Sequence, residues 1–303
     1  YYAVFERWLK YLAFFFTILL PGLYVAVGTF HPELLPEALL LNVTAAEQDV
    51  PFPLVIEALL IHFIYELMRE AGRILAKVHE ELGKAIHPGM STLDIDRLGE
   101  KLIREFGCVP SFKNYNGYPA SICVSVNDEV VHGIPNKHHI IREGDIVSLD
   151  AGVIYKGYHS DAARTHAVGI ISPEAQKLID VTRQSFFEGI KFAKAGNHLN
   201  DISSAIQAYA ESFGYGVVRD LVGHGIGTHL HEEPEVPNFA QKRKGIKLVP
   251  GMTLAVEPMI NIGTPNVVWM DDDWTVVTKD HSLSAHYENT ILITEGEPEI
   301  LSL

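Results

Sequence analysis

The sequence predicts an α+β domain with a largely antiparallel sheet, and three observations carry that expectation. Residues 146–153 and 158–168 are runs rich in β-branched and apolar types, separated by Tyr155-Lys156-Gly157, the pattern of a hairpin. Past residue 88 the order reads helix, hairpin, helix, helix and then a strand-rich end, which is not the regular alternation of a parallel α/β sheet. The helical stretches also carry their own start signals.

Taken in order, a helical pattern runs from Leu54 to about Ile86. Its first half is apolar except Glu57, His62 and Glu66, and its second half is an amphipathic helix. Further helices are expected at 92–106, 173–194 and 199–213, with Ser172-Pro173 opening the second and Asn197 or Asn200 the third. Strands are expected at 121–126, 146–153, 158–168, 217–221, 253–257, 274–278 and 287–293. Two βαα-like halves result, without enough similarity between them to demonstrate a repeat.

At 303 residues, 47% hydrophobic and 20% charged, the chain can bury one large core or two modest ones. A net charge of −14 argues against nucleic-acid binding, which needs a basic face. Lys242-Arg243-Lys244 with Lys247 reads as a solvated loop. Two cysteines, Cys108 and Cys123, neither in a CxxC pair, suit a reducing, cytoplasmic compartment. The first residue is Tyr1 rather than Met, so the chain is expected to be a fragment at that end.

The beginning of the chain is different in kind. Tyr11 to Phe30 holds no charged side chain, and at about 1.5 Å per residue it matches a bilayer's hydrocarbon thickness. Arg7 and Lys10 precede it as cytoplasmic anchors would, Pro21-Gly22 would kink it, and no A-x-A-like cleavage site follows. Membrane association through residues 1–67 is the expectation; the alternative is a buried helix broken at Pro21. Residues 31–53, punctuated by Pro32, Pro36, Pro51 and Pro53, read as loop.

Chemistry concentrates in the second part. If the hairpin folds about Lys156, Asp150 and Asp161 stand opposite or nearly so, roughly 4.5–5.5 Å apart at Cβ, where like charges destabilise. A divalent cation or a shared proton would compensate. His224 lies among Gly223, Gly225 and Gly227, which would let backbone approach a ligand closely. Glu257 and Glu288 sit in apolar strand-like settings where carboxylates rarely stay unpaired. Four carboxylates and one imidazole outnumber the nearby basic residues, which decides for metal. That set suits paired Mn, Fe, Co or Zn better than a structural zinc. Two divalent ions about 3.5–4 Å apart can lower the pKa of water from about 15.7 to about 7, the basis of hydrolysis.

The words MREAGRIL, YPASICVSVNDEVVHGIP, LDAGVIYKGYHSDAARTHAVG, GHGIGTHLHEEP, LAVEPM and SLSAHYENTILIT, from Met68 to the end, resemble the type I methionine aminopeptidases. The resemblance implies the pseudo-twofold "pita-bread" fold and removal of the initiator methionine from peptides and nascent chains by a monomer. It implies that Asp150 chelates one metal, Asp161 and Glu288 bridge both, and His224 and Glu257 complete the other shell. By the same resemblance His132 and His231 contact the scissile amide and carbonyl, and Glu257 shuttles the proton. A free α-amino group would replace water on one metal, confining cleavage to the first residue. Phe112, Tyr115, Tyr118, Cys123 and Trp274 fall where the family lines its methionine pocket, and Leu230 stands where an aromatic is often found. A soft thiol and aromatic faces suit a thioether.

LLPGLYVAVGTFHPELLP, VPFPLVIEALL and ELMREAG, within residues 1 to about 72, resemble instead the spore germinant-receptor A-subunit family, a multi-pass membrane protein. A chimera follows, with residues 1–67 of one origin and 68–303 of the other, joined at an REAG word both families can carry. Two other readings stay open: a prolidase or Xaa-Pro aminopeptidase of the same fold, and a membrane-receptor fragment with an incidental peptidase domain.

Overall fold

The computed structural model describes residues 54–303. The membrane-like stretch Tyr11–Phe30 and the loop reading of 31–53 lie outside the described residues. No helix among the described residues is long and apolar enough to cross a membrane. The chain divides into two units between Glu66 and Leu67. Every element below belongs to the second, Leu67–Leu303, apart from the first turns of α1.

Helix α1 (Leu54–Ala85) buries Ala71, Ile74, Leu75, Val78 and Leu82, the spacing of one helical face. Helix α2 (Thr92–Glu105) opens on a reciprocal cap, in which the Ser91 hydroxyl accepts from Asp94 N–H at 3.1 Å and the Asp94 carboxylate accepts from Ser91 N–H at 3.3 Å. Its Ile95 and Ile103 join the α1 stripe against Val147, Leu149, Ala151 and Val153. Each fully buried Ile, Leu or Val among them is worth about 1.5–3 kcal/mol.

The strands that follow are β1 (Val109–Pro110), β2 (Ile122–Val126), β3 (Glu129–Val131), β4 (Ile146–Tyr155) and β5 (Tyr158–Ala167). β4 pairs with β1 and β2 on one edge and β5 on the other. The β4–β5 hairpin turns on two residues, Lys156 (φ +49°) and Gly157 (φ +89°), and not on Lys156 alone. Asp150 therefore pairs with Ala163 and Asp161 with Gly152. The two aspartates share a face but stand diagonal, one step further apart than the expected facing pair.

Helix α3 (Pro173–Ile190) starts as expected, the Ser172 hydroxyl accepting from Ala175 N–H with proline in the first turn. It stops four residues before the expected end. The apolar pattern continues through Phe192 and Ala193, but these belong to a turn, with Ala193 buried as a loop residue. Helix α4 (Leu199–Glu211) is preceded by His198, whose N–H donates to Asp201, so neither Asn197 nor Asn200 caps it.

The remaining strands are β6 (Gly216–Val217), β7 (Gly223–Gly225), β8 (Glu232–Val236), β9 (Thr253–Val256), β10 (Met259–Asn261), β11 (Val267–Trp269), β12 (Val276–Thr278), β13 (Ser284–His286), β14 (Asn289–Leu292) and β15 (Glu299–Ile300). They form the sets β15-β14-β9-β7-β8, β13-β10-β6 and β11-β12-β3. Every strand pair among the described residues is antiparallel. The strand expected at 217–221 ends after Val217, and the one expected from Trp274 begins at Val276. Helices α3 and α4 cover β9 and β14 through Phe186, Ile202, Ile206, Leu254, Val256 and Ile291. Each half of the unit thus has two helices backing its strands.

One feature of this sheet system builds the site. Val256 stands opposite Asn289 and Met259 opposite His286, so β9–β10 and β13–β14 keep one register on either side of a gap. In that gap, where the partners pass from one sheet to the next, Glu257 faces Glu288.

Candidate metal centre

Five strands lying side by side each deliver one donor: His224 from β7, Glu257 after β9, Glu288 before β14, Asp161 from β5 and Asp150 from β4. Cross-links hold them in that order. His224 pairs with Ala255, the Glu288 N–H donates to Ala163 C=O at 3.0 Å, and the Asp161 N–H donates to the Thr290 hydroxyl at 2.9 Å. Arg164 donates to the Glu288 carbonyl and, at 2.6 Å, to Asn289 Oδ1, which pins the start of β14.

All five are withdrawn from water, Glu257 least so at 14 % exposure and Glu288 most at 2 %. Donor atoms of Asp161, His224 and Glu288 lie within 4.8 Å of one another. Glu257 Oε1 is 3.7 Å from His224 Nε2. The Asp150 and Asp161 carboxyl groups lie close enough that each influences the other's proton affinity. Burial pushes the Asp150 carboxyl up to about 7. Asp161 rises well above its ordinary value through burial and then the charge of Glu288. Glu257 and Glu288 rise through burial and their acidic neighbours. Burial and the nearby His231 hold His224 down at about 4.

These residues fit a metal centre. Asp150 Oδ1 and Glu288 Oε1 are buried with no hydrogen-bond partner among the described residues. The His224 Nδ1–H donates to Gly225 C=O at 2.8 Å, which leaves the Nε2 lone pair aimed at the carboxylates. Oxygen-rich donors with one neutral imidazole suit divalent Mn, Fe, Co or Zn.

The glycines around His224 serve a different purpose from the one expected. A Cβ on Gly223 would come 2.3 Å from Ala255 O, and one on Gly225 would come 2.2 Å from Glu233 O. They admit neighbouring strands, not a ligand.

The donors line one side of a cavity of about 150 Å³. Its other side is formed by Phe112, Tyr115, Tyr118, Cys123, Leu230 and Trp274 together with His132 and His231, so every residue singled out from the sequence meets here. Cys123 pairs across β2–β4 with Asp150, which brings the thiol beside the donors. Tyr118 donates to Gly133 C=O at 3.0 Å and stacks edge-on to Trp274, ring centres 5.1 Å apart. His231 Nδ1 is hydrogen bonded to the Tyr115 hydroxyl at 2.8 Å, and its ring is 4.2 Å from that of His224. Burial and His231 bring His132 down to about 4, so both of these imidazoles are neutral near pH 7.

Two neighbours escaped the sequence reading. Asn116 follows Tyr115 in a short 3-10 turn (Tyr115–Gly117) and lines the cavity. His286 places its Nε2 3.7 Å from Glu257 and 3.9 Å from Glu288. His286 lies two residues before Glu288, the spacing at which side chains of an extended chain share a face, whereas nothing in the chain order marks Asn116.

Residues 66–295 match metallopeptidase family M24. The chain belongs to that family. The M24 unit is 58% identical over 238 residues to the methionine aminopeptidase of Clostridium acetobutylicum, an alignment covering 78% of this chain and 95% of that one. A solved methionine aminopeptidase from Thermotoga maritima superimposes with a TM-score of 0.77 at 45% identity, covering 79% of this chain and 96% of that one. The fold is accordingly the pita-bread fold. A prolidase from Pyrococcus furiosus shares it at a TM-score of 0.63, but at 23% identity that likeness concerns the fold alone. Residues 1–86 match the Bacillus/Clostridium GerA spore germination protein, so the two ends of the chain resemble unrelated proteins that overlap on α1.

Proposed function

We propose that the M24 unit is a methionine aminopeptidase that hydrolyses the peptide bond after an N-terminal methionine, in nascent chains and in peptides. The observation that carries this reading is that five candidate donors line one cavity together with a thiol and several aromatic rings, in a chain 58% identical over 238 residues to a methionine aminopeptidase.

In this reading Asp150, Asp161, His224, Glu257 and Glu288 would hold two divalent ions. When bound, such ions supply Lewis acidity and bring the pKa of water from about 15.7 to about 7. The methionine side chain enters among Phe112, Tyr118, Cys123 and Trp274, whose faces and thiol match a thioether. His231, kept in one orientation by Tyr115, donates to the scissile carbonyl oxygen as negative charge gathers there. His132 holds the amide from the other side. Glu257, whose proton affinity is raised by burial, accepts a proton and passes it to the departing amine. The unit works as a cytoplasmic monomer, and residues 1–67 come from a germination-type protein and would carry any membrane association.

The deciding assay compares Met-Ala-Ser with Xaa-Pro peptides, alongside element-resolved metal analysis of freshly purified protein. Cleavage of Met-Ala-Ser that stops with a chelator and returns with Mn or Co is the expected result. Faster hydrolysis of the Xaa-Pro series would overturn it in favour of a prolidase-type enzyme.

A further inference from the structure

His286 has no part in the mechanism above, yet it is 1 % exposed and neither of its ring nitrogens has a hydrogen-bond partner among the described residues. Leaving such a group unsatisfied costs about 1–3 kcal/mol. Its backbone does not let it turn away: the His286 N–H donates to the Thr165 hydroxyl, that hydroxyl donates to the His286 carbonyl, and the residue pairs with Met259. From this fixed place Nε2 lies 3.7 Å from Glu257 Oε2 and 3.9 Å from Glu288 Oε2. The other Glu257 oxygen, Oε1, is 3.7 Å from His224 Nε2. Glu257 is therefore flanked by one imidazole at each oxygen.

The two imidazoles are not equivalent. His224 lines the catalytic cavity, whereas His286 does not; it borders a separate cavity behind the strands, with His79, Arg164 and His166. A ring nitrogen of His286 and carboxylate oxygens of Glu257 and Glu288 nonetheless lie within 4.8 Å of one another, so His286 adjoins the donor set without lining the cavity that the other donors share. The His286 Nε2 is roughly 0.5 Å beyond ordinary N–H···O reach of Glu257, a gap that a small rotation of the carboxylate closes.

We propose that His286 is a positioning residue of the metal centre: its Nε2–H hydrogen bonds the Glu257 carboxylate and sets the angle at which Glu257 meets a cation. This rests on the dinuclear reading given above.

The test titrates Mn into chelator-treated full-length wild type, His286→Ala and His286→Gln by calorimetry, and records the visible absorption of the Co-loaded proteins. Glutamine keeps a neutral N–H donor of similar reach. Alanine is expected to weaken metal binding about 10- to 100-fold. Glutamine is expected to restore it to within about threefold, with the wild-type Co bands retained. An alanine variant that binds as wild type does overturns the proposal. So does a glutamine variant as weak as alanine with displaced Co bands, which would make His286 a direct ligand. Should the alanine variant fail to fold, His286→Asn, whose amide is too short to reach, takes its place. Wild-type protein that takes up no metal overturns the dinuclear reading and this inference together, which separates that failure from the others.

Discussion

At the scale of single residues, four carboxylates buried together would repel, and the protein answers with protons when metal is withheld. The folded Asp150 carboxyl rises to about 7 from an ordinary 3.8, so its contribution to stability is fully present below that ordinary value and is lost as pH rises through about 7. The buried histidines run the opposite way. His132 and His224, held at about 4, add stability as pH rises from there to about 6.5. About a unit above that the histidines are neutral in both states, and the raised carboxyls dominate the slope. Chelator-treated protein should therefore melt at a lower temperature at pH 9 than at pH 7.5, with Mn restoring more at the higher pH; a flat profile would contradict this. Asp161→Asn should lower kcat/KM on Met-Ala-Ser by about a thousandfold at saturating Mn. His231→Ala should cost about 100- to 1,000-fold, mostly in kcat, if it steadies a developing oxyanion. A loss confined to KM would assign it to ground-state binding instead.

Among the elements, the decisive device is the hand-over of two antiparallel partners from one sheet to the next. The interruption between β9 and β10 faces that between β13 and β14, and each carries a glutamate released from strand pairing but held in register. Close packing on the β7 side is just as demanding. Gly225→Ala would place a methyl 2.2 Å from the Glu233 carbonyl, so β7 and β8 must part. A cost of about 1–3 kcal/mol is expected, at roughly 2–4 °C of melting temperature per kcal/mol for a unit of this size. Scanning calorimetry reads it directly, and an unchanged melting temperature would show that the strands yield freely.

For the whole molecule, α1 is the piece on which two resemblances overlap, and its packing says which one it serves. Arg69 pairs with Glu299 at 2.7 Å, Ala71 is fully buried, and a Cβ on Gly72 would come 2.2 Å from the Leu301 carbonyl. The REAG word is thus used by the peptidase unit. Residues 68–303 alone should fold and cleave Met-Ala-Ser within about threefold of the full chain, as expected of a separately cored unit. Beginning instead at residue 86 removes Ala71, Ile74, Leu75, Val78 and Leu82 from the core. Several such losses, at about 2–5 kcal/mol for each Leu or Ile, exceed the stability of an ordinary domain. That shorter chain should be insoluble or unfolded, and circular dichroism of both would decide.

Local chemistry was enough for much of this. The hairpin, the Ser172-Pro173 start, the α1 stripe and the antiparallel bias follow from spacing and residue type, because hydrophobic period and capping act between near neighbours in the chain. The motif words located the same five donors that the structure brings together. Reading in order could not reveal that Asp150 and Asp161 stand diagonal, that Glu257 faces Glu288 across a gap, or that Gly223 and Gly225 make room for strands. Nor did it find His286, buried beside two carboxylates. Those depend on which distant strands become partners and in what register, and that is settled only when the whole core packs at once.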